Sequence, residues 1–237
     1  MPERNAAPPA LGRRREARQQ RSVETQARLL EAAIACLVDH GYAGLKTAEI
    51  AQRAGLSEGA LFRHYPTKAD LVVAAVERVF ADLERRHARL LAQAGAGADV
   101  IAAAVRALWR VMTLPAYLAT NEVYLAARTD PALRQAIQPM ARRHQDNLLQ
   151  RARALVGNPD PSEFDDGFDA LVLAMQAAAI DAVALQDRGL ERRRLAYFEA
   201  FARRIPPGPP FSKGGAFSGP TDSTSPPRRR GAKRRGA

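Results

Sequence analysis

The stretch from Thr47 to Leu71 constrains the fold more than any other part of the chain. Its sequence, TAEIAQRAGLSEGALFRHYPTKADL, holds two short helix patterns separated by Gly55, and glycine tolerates the left-handed turn that ends a helix. We expect Thr47 and Ser57 to cap the two helices through their hydroxyl groups. Pro66 ends the second helix, since proline cannot continue one. Two short helices joined by a tight turn predict a helix-turn-helix, whose second helix lies in the major groove of DNA.

Helix patterns also flank this motif on both sides. After Ser22, apolar residues recur at helical spacing until Gly41 ends the helix. On the other side, Thr67 and Asp70 have the spacing of a capping box, which opens a longer fourth helix. The order of these helices predicts a three-helix DNA-binding head over residues 22–66, with the fourth helix leading into the body.

The body, residues 67–205, is predicted to be helical throughout. Its sequence shows helical periodicity and no alternating strand pattern. After the fourth helix, further helices are expected near 99–113, 115–129, 131–156, 162–187 and 190–205. Pro139 lies inside the third of these segments, where it predicts a kink or a break. The predicted fold class is therefore all-α.

The two ends of the chain carry most of its excess positive charge. Residues 206–237 hold 7 Lys and Arg against 1 acidic residue, whereas residues 72–205 hold 18 against 16. Residues 1–21 are rich in Pro and Arg. We expect a flexible basic arm over 1–21 and a disordered basic tail over 206–237. Both ends suit contacts with a polyanion, and simple solvation of the charged ends is the alternative.

The sequence contains no motif that predicts catalysis. It lacks the G-x-S-x-G elbow, the P-loop, the Rossmann fingerprint and the H-E-x-x-H pattern. Glu84 and His87 have the spacing of one half of a di-iron ligand set, but a second copy is missing and arginines surround the pair. A single cysteine, Cys36, excludes an internal disulfide. No enzyme activity, cofactor or metal site is predicted, and an all-helical enzyme using a carboxylate or His144 is the alternative class.

No segment of the sequence predicts export or a membrane span. The first residues are rich in Pro, Ala and Arg and lack the apolar core of a signal peptide. The longest apolar run, Leu171–Leu185, contains Gln176 and Asp181, and we expect it to be too short and too polar to cross a bilayer. A cytoplasmic protein without a membrane partner is predicted.

A larger set of residues around the motif carries a resemblance to a known family. The set consists of Thr47, Ile50, Ala51, Ala54, Gly55, Leu56, Ser57, Gly59, Leu61, Phe62, His64, Tyr65, Lys68 and Leu71. It resembles the DNA-binding domain of the tetracycline-repressor (TetR) family, and the resemblance covers roughly residues 22–71. The family usually has Tyr at the position of Phe62 and Phe at that of Tyr65. Phe62 therefore lacks the hydroxyl that commonly touches a phosphate.

The resemblance implies which side chains contact DNA. On or near the groove-facing side of the second helix it places Ser57, Glu58, Gly59, Ala60 and Arg63. Of these, Arg63 is able to bond guanine in a bidentate manner, and an ordinary surface arginine is the alternative. The family positions that usually hold phosphates are Thr47, His64 and Lys68, which fix register rather than sequence. Lys46 adjoins Thr47 and is included in this set.

For the whole chain, the resemblance implies a homodimeric transcriptional regulator, a repressor that binds a palindromic operator and responds to a small apolar effector. The last two helices are the expected dimer interface, with contacts from Ala178, Ala182, Leu195, Phe198 and Ala202. The expected effector pocket is lined by Trp109, Met112, Tyr117, Tyr124, His144, Asn147, Met175 and Gln176. Burial inside one subunit is the alternative for both sets. A ligand-free protein that coats DNA through its basic ends is the alternative function.

Overall fold

A computed structural model of the chain describes residues 10–94 and 99–205, which form nine α-helices and no strand within those ranges. In chain order, the helices are α1 Ala10–Gly44, α2 Thr47–Arg53, α3 Glu58–His64, α4 Lys68–Ala92, α5 Val100–Met112, α6 Pro115–Ala126, α7 Pro131–Leu155, α8 Pro161–Leu185 and α9 Arg188–Ala202. The all-α prediction is confirmed, and the number and order of helices agree with the sequence pattern.

The first helix differs from its prediction at its start. Helix α1 begins at Ala10 rather than near Ser22, so residues 10–21 are helical where a flexible arm was expected. The physical reason is composition, because Arg, Glu, Gln and Ala are strong helix formers and extend a helix without an apolar face. The rest of the expected arm, residues 1–9, and the expected disordered tail, 206–237, lie outside the described residues.

Glycine kinks α1 at Gly41, where the sequence predicted its end, and Gly55 follows the end of α2 as predicted. Gly41 has φ +65° and Gly55 has φ +67°, both in the left-handed region that glycine enters without strain. The predicted capping box is also present, since the Thr67 hydroxyl accepts from the Asp70 amide at 3.0 Å and the Asp70 carboxylate accepts from the Thr67 amide at 3.0 Å. The helix-turn-helix therefore has the boundaries that its turn chemistry sets.

The predicted cap at Thr47 was wrong, and of the kink or break predicted at Pro139 the break is absent. Thr47 is the first residue of α2 and Lys46 is its N-cap, so the Thr47 hydroxyl does not cap this helix. Helix α7 continues through Pro139 to Leu155 without a break. A proline inside a helix removes one hydrogen bond, and here the long apolar side of α7, with Ile137 and Met140 buried on either side of the proline, holds the helix together.

A large group of buried side chains, which we call the first core, joins the helix-turn-helix to half of the body. It draws on α1 to α7, with Val111 as the member from α5, and its other members include Leu29, Cys36, Ile50, Leu61, Leu71, Val76, Phe80, Val123, Leu133 and Met140. Cys36 is fully buried there, as expected of a core thiol, and burial raises the pKa of that thiol. The DNA-binding head therefore packs directly on the body.

A smaller group, the second core, unites α5, α8 and α9. It consists of Val105, Trp109, Met112, Phe164, Leu171, Met175, Ala178, Ala179, Phe198, Ala202 and Ile205. Leu108 and Tyr117 pack against both cores and so mark the seam between them.

Helix α8 is unusually apolar for a helix that is not fully enclosed. By length and composition alone, the segment Phe164–Leu185 is able to cross a membrane. Among the described residues, no other unbroken helix is both long enough and apolar enough to do so. The expectation that this region is too short for a span is therefore wrong. Only 22% of its most apolar stretch is buried. An apolar packing face on a helix passes the same test, so this is weak evidence for a membrane.

Candidate functional site

The outer face of α3 is open to solvent along its length. Leu61 is fully buried and anchors the opposite face of the helix in the first core. Ser57 caps the helix as predicted, because its hydroxyl accepts from the Ala60 amide at 3.2 Å. At Gly59 an added Cβ would meet no atom within 4 Å. Another surface can therefore approach the backbone of α3 closely.

Arg63 lies on this open face, one turn after Gly59. Its Nε donates to the Gly59 carbonyl at 3.3 Å, which lays the side chain along the helix. No acidic side chain of the described residues forms an ion pair with it. The rest of the guanidinium is thus available for the two parallel hydrogen bonds that guanine accepts in the major groove.

Glu58 and Thr47 are hydrogen-bonded to each other. The Thr47 hydroxyl donates to Glu58 Oε1 at 2.6 Å, which ties the first turn of α2 to the first turn of α3. The carboxylate also lies at the positive end of the α3 dipole. These two predicted DNA contacts therefore come together at one edge of α3, next to the exposed Lys46.

Lys68 is held inside the protein rather than free on its surface. Its Nζ donates to the Leu45 carbonyl at 2.8 Å and lies 4.8 Å from the centre of the Tyr42 ring. Burial lowers the pKa of Lys68, and the charge of Asp130 opposes that shift. The ammonium has three N–H donors and spends one of them on Leu45, so the phosphate contact that the resemblance implies for Lys68 stays a prediction. His64 is also half-buried, at the end of α3.

A network of charged side chains braces α2 against α1, and sequence reasoning missed it. Arg53 donates to Asp39 at 2.6 Å and to Glu49 at 2.8 Å, and His40 lies 2.9 Å from the same Glu49 oxygen. Hydrogen bonding to Arg53 lowers the pKa of Asp39, and hydrogen bonding to His40 lowers that of Glu49. Only the Glu49–Arg53 spacing of four residues was visible in the sequence.

Comparison with known proteins agrees with this geometry. The sequence pattern of the family described as "Bacterial regulatory proteins, tetR family" matches residues 29–75. Rv2912c of Mycobacterium tuberculosis, an uncharacterized HTH-type transcriptional regulator, is 31% identical over 167 residues, which cover 70% of this chain and 84% of that protein. The chain belongs to the TetR family. It is a transcriptional regulator with a helix-turn-helix DNA-binding domain, as the resemblance implied.

Other TetR-family and related proteins extend the comparison. The HTH-type transcriptional regulator CymR of Pseudomonas putida is 32% identical over 131 residues, covering 55% of this chain and 64% of CymR. A TetR-family structure from Streptomyces coelicolor A3 has a TM-score of 0.54 at 25% identity, with 73% of this chain and 97% of that chain covered. The multidrug binding protein EbrR, solved with imidazole, has a TM-score of 0.58 at 24% identity, with 78% and 96% covered. EbrR shares the fold.

Five of the eight predicted pocket residues of this TetR-family chain lie in the second core or at the seam between the cores. Trp109, Met112 and Met175 are buried in the second core, and Tyr117 packs against both cores. Gln176 is half-buried on α8. Trp109 also lines a cavity of about 260 Å³ beside the start of α9.

The structure places the other three predicted pocket residues differently. Asn147 is exposed on α7, so it does not line the seam. His144 stacks on Phe80 of α4, with 3.7 Å between ring centroids, and so belongs to the α4–α7 junction. Tyr124, on α6, is 36% exposed. Helical periodicity assigns a residue to a face of its own helix, but it does not say which neighbour that face meets.

Buried polar side chains mark the seam, and two of them were not singled out from the sequence. Thr120 and Asn121 of α6 are the buried polar residues of the described chain. Gln176 of α8 donates to the Asn121 side-chain carbonyl, and the Asn121 amide donates to the Tyr117 carbonyl at 3.2 Å. Burial raises the pKa of Tyr117 well above its usual value. The seam therefore combines apolar walls with a few fixed polar groups.

Three of the five predicted dimer contacts lie inside the protomer. Ala178, Phe198 and Ala202 are buried in the second core, where the Phe198 ring lies 6.3 Å from that of Trp109. Leu195 packs against the same core, and Ala182 is half-buried. Burial within one subunit, the alternative for this set, describes Ala178, Phe198 and Ala202, and the interface contacts of Leu195 and Ala182 stay predictions. The apolar residues of α8 are spread around the helix rather than confined to one face, so the sequence could not show which face meets α9.

Proposed function

We propose that this TetR-family regulator is a cytoplasmic repressor that binds a palindromic operator as a homodimer and is released by a small, largely apolar effector. The observation that carries this proposal is the open face of α3, with Arg63 free of an acidic partner and Gly59 free of neighbouring atoms. A recognition helix needs such a face to enter the major groove.

The homodimer is supported by apolar side chains that the protomer leaves exposed. On α8, Leu173 and Val183 are each 57% exposed and Ile180 is 46% exposed, and Tyr197 of α9 is 64% exposed. They lie on the last two helices, beside the second core. Exposed apolar surface of this kind is typical of an interface, and a symmetric dimer matches the symmetry of a palindrome.

The effector site is supported by the seam. Tyr117 packs against both cores there, Met112 and Met175 are buried on the side of the second core, and Asn121 and Gln176 supply polar groups. Apolar walls with a few convergent polar groups are the usual lining of a small-molecule site. The apolar part of such an effector would pack on the apolar side chains, and one or two polar atoms would bond to the polar ones. Its insertion at the seam would move the two cores apart.

The experiment that tests operator binding is selection from a random duplex library, followed by footprinting on the selected sequence. We expect a short palindromic footprint. Arg63→Ala should weaken binding by roughly 1–3 kcal/mol and relax the preference at one base pair in each half-site. Arg142→Ala, on the exposed side of α7, is the matched control and should change neither quantity. Uniform binding to every duplex would instead support the DNA-coating alternative.

The dimer is tested by placing a charge on the exposed face of α8. Ile180→Glu should yield a folded monomer in light scattering, because an interface would have to bury the unpaired carboxylate. Leu125→Glu is the control, since Leu125 of α6 is 69% exposed and lies away from that face. A wild-type monomer that binds a full palindrome with one chain per duplex would contradict the proposal.

A further inference from the structure

Helix α6 of the body directly contacts the last turn of α1 in the DNA-binding head, which follows the kink at Gly41. The Tyr42 amide donates to Glu122 Oε2 at 3.0 Å, although the two residues are 80 positions apart. At Gly41 the backbone has φ +65° and ψ 178°, and an added Cβ would collide with the same carboxylate oxygen. Glycine is thus needed here both for the turn and for the approach of Glu122.

Other contacts hold the same turn to the body. The Tyr42 hydroxyl lies 3.5 Å from Asp130, the N-cap of α7, and donates to its carboxylate. Lys68 of α4 covers the Tyr42 ring and donates to the Leu45 carbonyl. Val123, the residue after Glu122, is fully buried in the first core. The connection from α1 to α2 is therefore held by α4, α6 and the turn before α7.

On its other side, α6 reaches the second core. Asn121, the residue before Glu122, is bonded to Gln176 of α8. Adjacent residues of α6 thus bond to the head on one side and to the helix that carries the proposed dimer face on the other. This connection runs beside α4, which joins head and body through the chain itself.

We propose that Glu122 is a positioning residue for operator binding: it fixes the orientation of the head on α6 and thereby the spacing of the two recognition helices in the dimer. This proposal rests on the proposed binding of a palindrome by a homodimer. A head held in the correct orientation makes binding of the second half-site an intramolecular step at high effective concentration. A head released from α6 loses that advantage and accommodates other half-site spacings.

The test compares duplexes selected on the wild-type chain: one half-site alone, the full palindrome, and palindromes lengthened or shortened by one base pair. Glu122→Ala and Glu122→Asp should both release Tyr42, since the aspartate side chain is one methylene too short. Both should leave half-site affinity within about twofold, weaken the palindrome on the order of tenfold, and reduce the preference for one spacing. Glu122→Gln should stay near wild type, because its side-chain carbonyl can accept from the same amide.

The matched control is Glu77→Ala on α4. Glu77 pairs with the exposed Arg143 at 2.6 Å, and both residues lie on helices of the body. Exposed pairs contribute little, so its affinities and spacing preference should match wild type. The hydrogen-exchange rate of the Tyr42 amide measures the loss of its hydrogen bond directly. This rate should be higher in Glu122→Ala and Glu122→Asp than in the wild type.

The outcomes separate this proposal from the one on which it rests. An equal loss on half-site and palindrome, with the spacing preference unchanged, would overturn the positioning role and leave Glu122 as a stabiliser of the turn. No loss on either duplex would also overturn it. A wild-type chain that binds the half-site as tightly as the palindrome would instead refute the dimeric operator complex. If Glu122→Ala does not fold, Glu122→Asp supplies the same comparison.

Discussion

The two cores differ in how completely one protomer encloses them. The first core, built around the helix-turn-helix, α4, α6 and α7, buries large side chains such as Ile50, Leu61 and Leu71 completely. The second core, built from α5, α8 and α9, leaves Leu173 and Tyr197 more than half exposed on its own helices. The large side chains of the first core are therefore enclosed within one chain, whereas the helices of the second core carry exposed apolar surface that the proposed homodimer would cover.

The contacts between the cores are partly apolar and partly polar. Tyr117 packs against both, and Gln176 bonds to Asn121 across the seam. His87 of α4 also lies 3.3 Å from the Ala104 carbonyl of α5. Since the head belongs to the first core and the proposed dimer face to the second, a change in their relative position would change the spacing of the heads.

The largest expected effects come from cavities cut into each core. Leu71→Ala and Met175→Ala each remove a fully buried side chain, and each should lower the free energy of unfolding by about 2–5 kcal/mol in urea titrations. Their functional effects should differ. At a temperature where both variants are folded, Leu71→Ala should weaken binding to a single half-site, and Met175→Ala should instead weaken dimerisation. Equal effects of both variants on half-site binding would remove the distinction between the cores.

A smaller effect is expected from the polar pair at the seam. Asn121→Ala leaves the Gln176 amide without its partner and should cost about 1–3 kcal/mol of unfolding free energy. Replacing both residues by Leu should cost much less than the sum of the single changes, since no polar group is then left unpaired. Urea titration of the single and double variants measures this coupling. Additive costs would show that the pair does not join the cores.

The smallest expected change is the pH dependence contributed by two histidines of the α4 junctions. Burial lowers the pKa of His87, and burial likewise lowers that of His144, where the charge of Glu84 opposes the shift. The unfolded chain therefore takes up protons at these sites at higher pH than the folded chain does. Their contribution to stability is complete above the unfolded pKa of about 6.5 and is lost as the pH falls through it.

Urea unfolding midpoints at pH 7.5 and 5.5 measure this loss. His144→Phe keeps a ring stacked on Phe80 and removes the titrating group, so it should reduce the drop in stability. His87→Gln keeps a donor for the Ala104 carbonyl and tests the junction between the two cores. An identical drop in the wild type and both variants would assign the pH dependence to other groups.

The local chemistry of the helix-turn-helix was predictable because it depends on near neighbours in the chain. Gly55, Ser57 and the Thr67–Asp70 capping box act over three or four residues, and each is found as predicted. Thr47 shows the limit of that reasoning. A hydroxyl caps a helix only from the extended residue before the first turn, and here Lys46 holds that position with φ −116° and ψ 129°, so Thr47 is already helical.

The sequence by itself determined the helices, their order, the helix-turn-helix and the family. Those features follow from residue spacing, turn residues and a motif that lies within one short stretch of chain. Only the tertiary structure decided which faces meet. It buries Ala178 and Phe198 within the protomer, ties up Lys68, exposes Asn147, and brings Glu122 to the turn at Tyr42. The physical reason is that these contacts join residues tens of positions apart, and helical periodicity fixes a residue's face without fixing the neighbour across from it.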